Sequence, residues 1–343
     1  MAEHDPSTFA GLTAVAERQA GDAASLDALL HGARDPFVIR GLAADWPLVQ
    51  AGLRSPRDAR EYLLERALAV PFTVSIGSPG HDGRLFYDAG MDMNFHTARG
   101  KLADIFAGID ANEDRAEPPT IYLGSIDVPA HFERVGEENR IDLGSREPLT
   151  SLWIGTQTRI AAHNDFPDNL ACCVVGRRRF TLFPPEQFAN LYLGPIDNTP
   201  AGRAVSMVDF HAPDPAAHPR FAEALNHAQV AELEPGDAVF IPSMWWHHVE
   251  GMARFNALLN YWWRETPRFL GQPQDALNHA ILSIRDLPPA DKAIWHALFN
   301  HYVFENGPLV TDHIPAGARG VLDPLDAEGA GRLRSFLLRT LSR

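Results

Sequence analysis

Arg159-Ile160-Ala161-Ala162-His163-Asn164-Asp165-Phe166-Pro167-Asp168-Asn169-Leu170-Ala171-Cys172-Cys173-Val174-Val175-Gly176-Arg177-Arg178-Arg179-Phe180-Thr181-Leu182-Phe183-Pro184-Pro185 reads as a strand, an apolar strand, a tight turn at Gly176 and a further strand. Side chains two apart on a strand point to the same face, so His163 and Asp165 can grip one ion together. A second strand-like run, Phe240-Ile-Pro-Ser-Met-Trp-Trp-His247-His248-Val249, lies beyond it, and His247 stands 82 residues after Asp165. Before it, Glu234-Pro-Gly-Asp237 carries Pro and Gly in turn-forming positions and leads into Ala238-Val-Phe-Ile241.

Each motif is weak in isolation. The chain holds 15 His and 44 acidic residues, so a His-x-Asp arises by chance, and a half-buried His is ordinarily hydrogen-bonded core. Context carries the argument. Strand, turn and strand repeat around both halves of the constellation, as a double-stranded β-helix of the jelly-roll or cupin type requires. The expected fold is mainly β with flanking helices. Two neutral imidazoles and one carboxylate on one face of an octahedral metal leave three positions open, the facial triad of non-haem Fe(II) oxygenases.

The runs His163–Pro185 and Pro235–Trp263 resemble the JmjC-type cupin oxygenases that use Fe(II) and 2-oxoglutarate, most nearly the asparaginyl hydroxylase that inhibits hypoxia-inducible factor. Pro36-Phe-Val-Ile-Arg40-Gly41, Leu85-Phe-Tyr-Asp88 and Thr120-Ile-Tyr122-Leu123 agree, and the resemblance covers roughly residues 30 to 265. It implies His163, Asp165 and His247 as iron ligands, with His248 on the other face of its strand. The family's basic residue, which pairs with the far carboxylate of 2-oxoglutarate, falls on Arg178, where most relatives have Lys. A guanidinium can clamp a carboxylate bidentately and its charge is permanent, so the role survives the change. Arg178 shares strand parity with Phe180 and Leu182, which marks it as the inward arginine of the three. Tyr122 matches a tyrosine that helps hold the same carboxylate, and Asn169 and Asn260 match polar positions lining the pocket. The family's threonine three residues before the first ligand is Ile160 here, with Thr158 a candidate to replace its hydrogen bond.

Composition narrows the function. Net charge is −14, and no basic run exceeds three arginines, so strong nucleic-acid binding is not expected. No apolar segment is long enough to span a membrane. Met1-Ala-Glu-His-Asp5 lacks the charged and then apolar start of a signal peptide. The adjacent Cys172 and Cys173 point to opposite faces of one strand, so they read as reduced core residues of a cytoplasmic protein.

The expected organisation is a mixed α/β segment over 1–120, the β-helix core over 121–265, and a helical region over 266–343. Helices are expected around Ser25-Leu-Asp-Ala-Leu-Leu30, from Pro56 to Leu64 with Ser55 as cap, and around Leu102, Ile105 and Phe106. Residues 194–220 form a long insertion of the kind that often serves as a lid. In the tail, helices are expected over Asp275–Ile284, Asp291–Tyr302 and Ala330–Leu341. Its apolar stripe, with Ile294, Leu298 and Tyr302, fits the homodimer that the resemblance implies. The expected reaction is hydroxylation of a protein or peptide side chain. The residues leave open a small-molecule substrate, tRNA, demethylation, a non-oxidative cupin with Zn or Mn, and an inert binding module.

Overall fold

Eight strands form the frame of the molecule: β1 (Leu149–Gly155), β2 (Thr158–Asn164), β3 (Asp168–Val175), β4 (Arg178–Phe183), β5 (Gln229–Leu233), β6 (Ala238–Ile241), β7 (Trp246–Gly251) and β8 (Asn256–Trp263). In this computed structural model, which describes residues 11–342, they alternate between two sheets. One sheet runs β5-β4-β7-β2 and the other β6-β3-β8-β1, the order of a double-stranded β-helix. The fold expected from the sequence is therefore present. Met1–Asp5, on which the expectation about a signal peptide rests, lies outside the described residues.

Hydrophobic alternation explains the layering. The sheets face one another across Ala171, Cys173, Phe180, Leu182, Val239, Ile241 and Leu258. On the outer face of the larger sheet, Leu170, Cys172, Val174 and Leu259 pack on the helices Pro47–Arg54, Pro56–Leu64 and Leu102–Asp110. Strand β3 is covered on both faces, so it reads as an unbroken apolar run rather than an alternating one. Cys172 and Cys173 fall in different clusters and are free, as their adjacency on a strand demands. Gly176 turns β3 into β4 with φ +74°; a Cβ there would stand 2.7 Å from the Phe255 carbonyl oxygen.

The segment before residue 120 continues the barrel's larger sheet. Phe37–Ile39 pairs with β6, and Phe72–Gly77, Phe95–Gly100 and Thr120–Asp127 extend the same sheet beyond β1. The described residues up to Arg264 form one unit and those from Glu265 onward a second. The second contains helices Pro273–Ser283, Pro289–Phe299 and Ala327–Leu341, with a π-helical turn over Asn300–Glu305. No helix among the described residues is long and apolar enough to cross a membrane.

Candidate metal centre

His163 on β2 and His247 on β7 are register partners, and their ring centroids are 4.4 Å apart. Asp165 stands one residue past the end of β2, where its carbonyl accepts from the Met244 N–H at 2.8 Å. Its Oδ2 is 3.5 Å from His247 Nε2, and the three side chains can hold one metal ion. Each imidazole is aimed from behind. His163 Nδ1 lies 2.9 Å from the Ala161 carbonyl and His247 Nδ1 3.1 Å from the Trp245 carbonyl. A carbonyl only accepts, so both Nδ1 atoms carry the proton and both Nε2 lone pairs turn to the common centre.

Charge states agree with ligation. Burial drives the His163 pKa down to about 4, keeping the ring neutral near pH 7. Burial pushes Asp165 upward, but the adjacent His247, with His163 and Arg203, outweighs it and holds the carboxyl at about 2. Two neutral imidazoles and a carboxylate are the donor set that a divalent iron needs, and the residues fit it.

A bulge phases the two strands. His247 pairs with His163 and Val249 with Ile160, so Ala161 and Ala162 together oppose His248. That extra residue lets Ile160 and His163, three apart, both face the cavity.

The cavity, about 280 Å³, is lined by the triad and by Tyr122, Asn169, Arg178 and Asn260. Arg178 is 2% exposed, has no ion-pair partner among the described residues, and leaves its Nε without a hydrogen bond. Burial lowers its pKa, with Tyr122 opposing that shift. Arg177 and Arg179 instead face outward to Glu232, as strand alternation requires. The Tyr122 hydroxyl makes no hydrogen bond among the described residues, and burial raises its pKa, so it stays protonated and able to donate. Gly155 makes room for it, since a Cβ there would stand 3.0 Å from Tyr122 Cδ2. Trp153 donates to Asn260 Oδ1 at 2.9 Å and Asn260 Nδ2 donates to Asn169 Oδ1 at 3.2 Å, a polar chain along the wall.

Thr158 does not take the place of the family threonine. It is buried at the far end of β2 and does not line the cavity; a Cβ on Gly251 would stand 3.0 Å from its hydroxyl. The hydroxyls that do line the cavity are those of Thr73, Ser75 and Ser125, from a neighbouring strand and the Tyr122 segment. Sequence reading missed them because nothing local marks these residues; only the pairing of Ser75 with Tyr122 brings that strand to the site. Of the four tryptophans near the second motif, Trp262 lines the cavity, while Trp245, Trp246 and Trp263 are core.

A family model described as a cupin-like domain matches residues 24–269. The chain belongs to the cupin-like family. This cupin-like domain is of the JmjC type, and its relatives are similar over part of their length. A lysine-specific demethylase of Arabidopsis thaliana, JMJ31, is 33% identical over 33% of this chain and 20% of its own. The tRNA wybutosine-synthesizing protein 5 of Gallus gallus is 35% identical over 43% of this chain and 40% of its own. The human HSPB1-associated protein 1 is 30% identical over 39% of this chain and 27% of its own. The matched stretches therefore span less than half the length of these relatives, and their names do not single out an asparaginyl hydroxylase.

Proposed function

We propose that the chain is an Fe(II)- and 2-oxoglutarate-dependent dioxygenase that hydroxylates a protein or peptide side chain, with succinate and carbon dioxide as co-products. The observation that carries this reading is Arg178, a buried cation with no carboxylate partner among the described residues, opening into the same cavity as the triad. A buried charge is costly unless paired, so this guanidinium asks for an anion from outside the chain. His163, Asp165 and His247 would hold the iron. Arg178 and the Tyr122 hydroxyl would bind the far carboxylate of 2-oxoglutarate, and the Asn169–Asn260 pair would order polar groups along the wall. Bound iron with 2-oxoglutarate supplies the oxidative decarboxylation that delivers one oxygen atom of dioxygen to a substrate C–H bond.

The insertion 194–220 supplies Pro200, Ala201 and Val205 to the cavity wall, which makes it the natural seat of substrate selection. The acidic net charge of −14 argues against tRNA, the substrate class in one relative's name. The buried thiols of Cys172 and Cys173 fit a reducing compartment such as the cytoplasm. The deciding experiment follows 2-oxoglutarate turnover to succinate in anaerobically reconstituted protein, then screens peptides, tRNA and amino acids for a gain of one oxygen. Succinate formation that requires iron and is abolished by Asp165→Ala supports the assignment. Absence of any iron-dependent turnover overturns it.

A further inference from the structure

The outer face of β7 carries a second cluster of metal-ligating groups, outside the cavity described above. His248 and Glu250 project from that face, and His211 reaches them from the insertion 194–220. His211 Nε2 is 2.6 Å from Glu250 Oε1, and His248 Nε2 is 4.0 Å from Glu250 Oε2. The three ligand atoms lie within 4.8 Å of one another.

The hydrogen bond between His211 and Glu250 satisfies only part of this cluster. His248 is 5% exposed, and among the described residues both its ring nitrogens lack hydrogen-bond partners, as does Glu250 Oε2. Phe210 stacks beside the His248 ring at 4.6 Å, closing the apolar side. An imidazole with two orphaned nitrogens next to a half-used carboxylate leaves several buried polar atoms unsatisfied, and one cation between them would satisfy both residues at once. Arg179 Nη1, 3.7 Å from Glu250 Oε2, Arg159, paired with Asp82 and Asp209, and Arg84, paired with Asp209, are nearby positive charges. All three already have carboxylate partners, so the cluster is not flooded with positive charge. The side chain of His211 is 18% exposed, which leaves the cluster an edge open to solvent.

We propose that His211, His248 and Glu250 form a second divalent-metal site, of the zinc class, that staples the insertion 194–220 to the outside of the barrel. Two imidazoles and one carboxylate with an open fourth position are a recurrent zinc donor set. The ion would fix the segment that contributes Pro200, Ala201 and Val205 to the cavity wall.

Chelator-stripped full-length protein titrated with Zn(II) alone, then dialysed, tests this by stoichiometry. The wild type should retain two equivalents. Asp165→Ala and His211→Ala should each retain one, and the double variant none. Glu250→Gln, which keeps the side-chain shape, should also lose one equivalent, so a folding defect in a single variant does not decide the matter. A wild type that retains one equivalent, lost in Asp165→Ala but kept in His211→Ala and Glu250→Gln, overturns the second site and leaves the triad standing. One equivalent kept in Asp165→Ala and lost in His211→Ala supports the second site and overturns the triad.

Discussion

Arg178 and its two neighbours give the sharpest comparison at the level of single residues. Removing one partner of a desolvated ion pair typically costs about 2–5 kcal/mol, roughly 30- to 5,000-fold in affinity. Exposed pairs such as Arg177 with Glu234 contribute about 0–1 kcal/mol. Arg178→Ala should therefore raise the 2-oxoglutarate concentration needed for half-maximal turnover by at least tens of fold, while Arg177→Ala stays near wild type; equal effects would remove Arg178 from the co-substrate site. Asp165→Ala should abolish iron retention and turnover, with His248→Ala milder, as iron content and succinate release will report. Protons offer a third measurement. His163 and His248 are both held down by burial, from an ordinary 6.5 to about 4. Between those values the unfolded chain binds protons that the native one refuses, so stability should fall as pH drops from about 6.5 to about 4. Chemical denaturation of chelated protein across that range checks the slope, and His248→Leu should flatten it; an unchanged slope refutes the assignment to burial.

At the level of elements, Gly155 on β1 is where the backbone yields to Tyr122. Gly155→Ala would press a methyl against the ring and the Ile121 carbonyl, so weaker 2-oxoglutarate binding is expected with little change in iron content. Co-substrate titration beside metal analysis separates the two, and an unaltered affinity would free Tyr122 from its assigned role. The same element shows what the sequence could and could not express. His163, His247 and the inward set of Arg178 were legible because strand parity is local, and Ser55-Pro56 announced its helix through a cap that forms as written, Ser55 accepting from the Asp58 N–H. Thr158 was misplaced because strand parity gives a face and not a depth: it shares the parity of Ile160 but sits at the far end of β2, paired with Gly251 and beyond the cavity. Thr73 and Ser75 were invisible because they reach the cavity through sheet pairing from a segment far away in sequence. His211 stayed hidden for a similar reason: an insertion has no period from which to read a direction.

At the level of the whole molecule, the C-terminal unit has few buried residues of its own. Its helices Pro273–Ser283 and Pro289–Phe299 bury no residue, and Ile294 is 64% exposed, Phe304 74% and Leu282 78%. Apolar surface of that extent asks for a partner, and a homodimer through these helices is the expected one. Light scattering at micromolar concentration should give twice the 37.8 kDa chain mass, falling to one chain when residues from about 268 onward are removed; a monomeric full-length chain rules this out. The bulge in β2 reaches further than its size. Because Ala161 and Ala162 share one opposing position, Ile160 and His163 both face the cavity although they stand three apart; a regular strand of the same length would put them on opposite faces and turn one of them outward. The bulge thus absorbs an odd residue without costing the centre its phase.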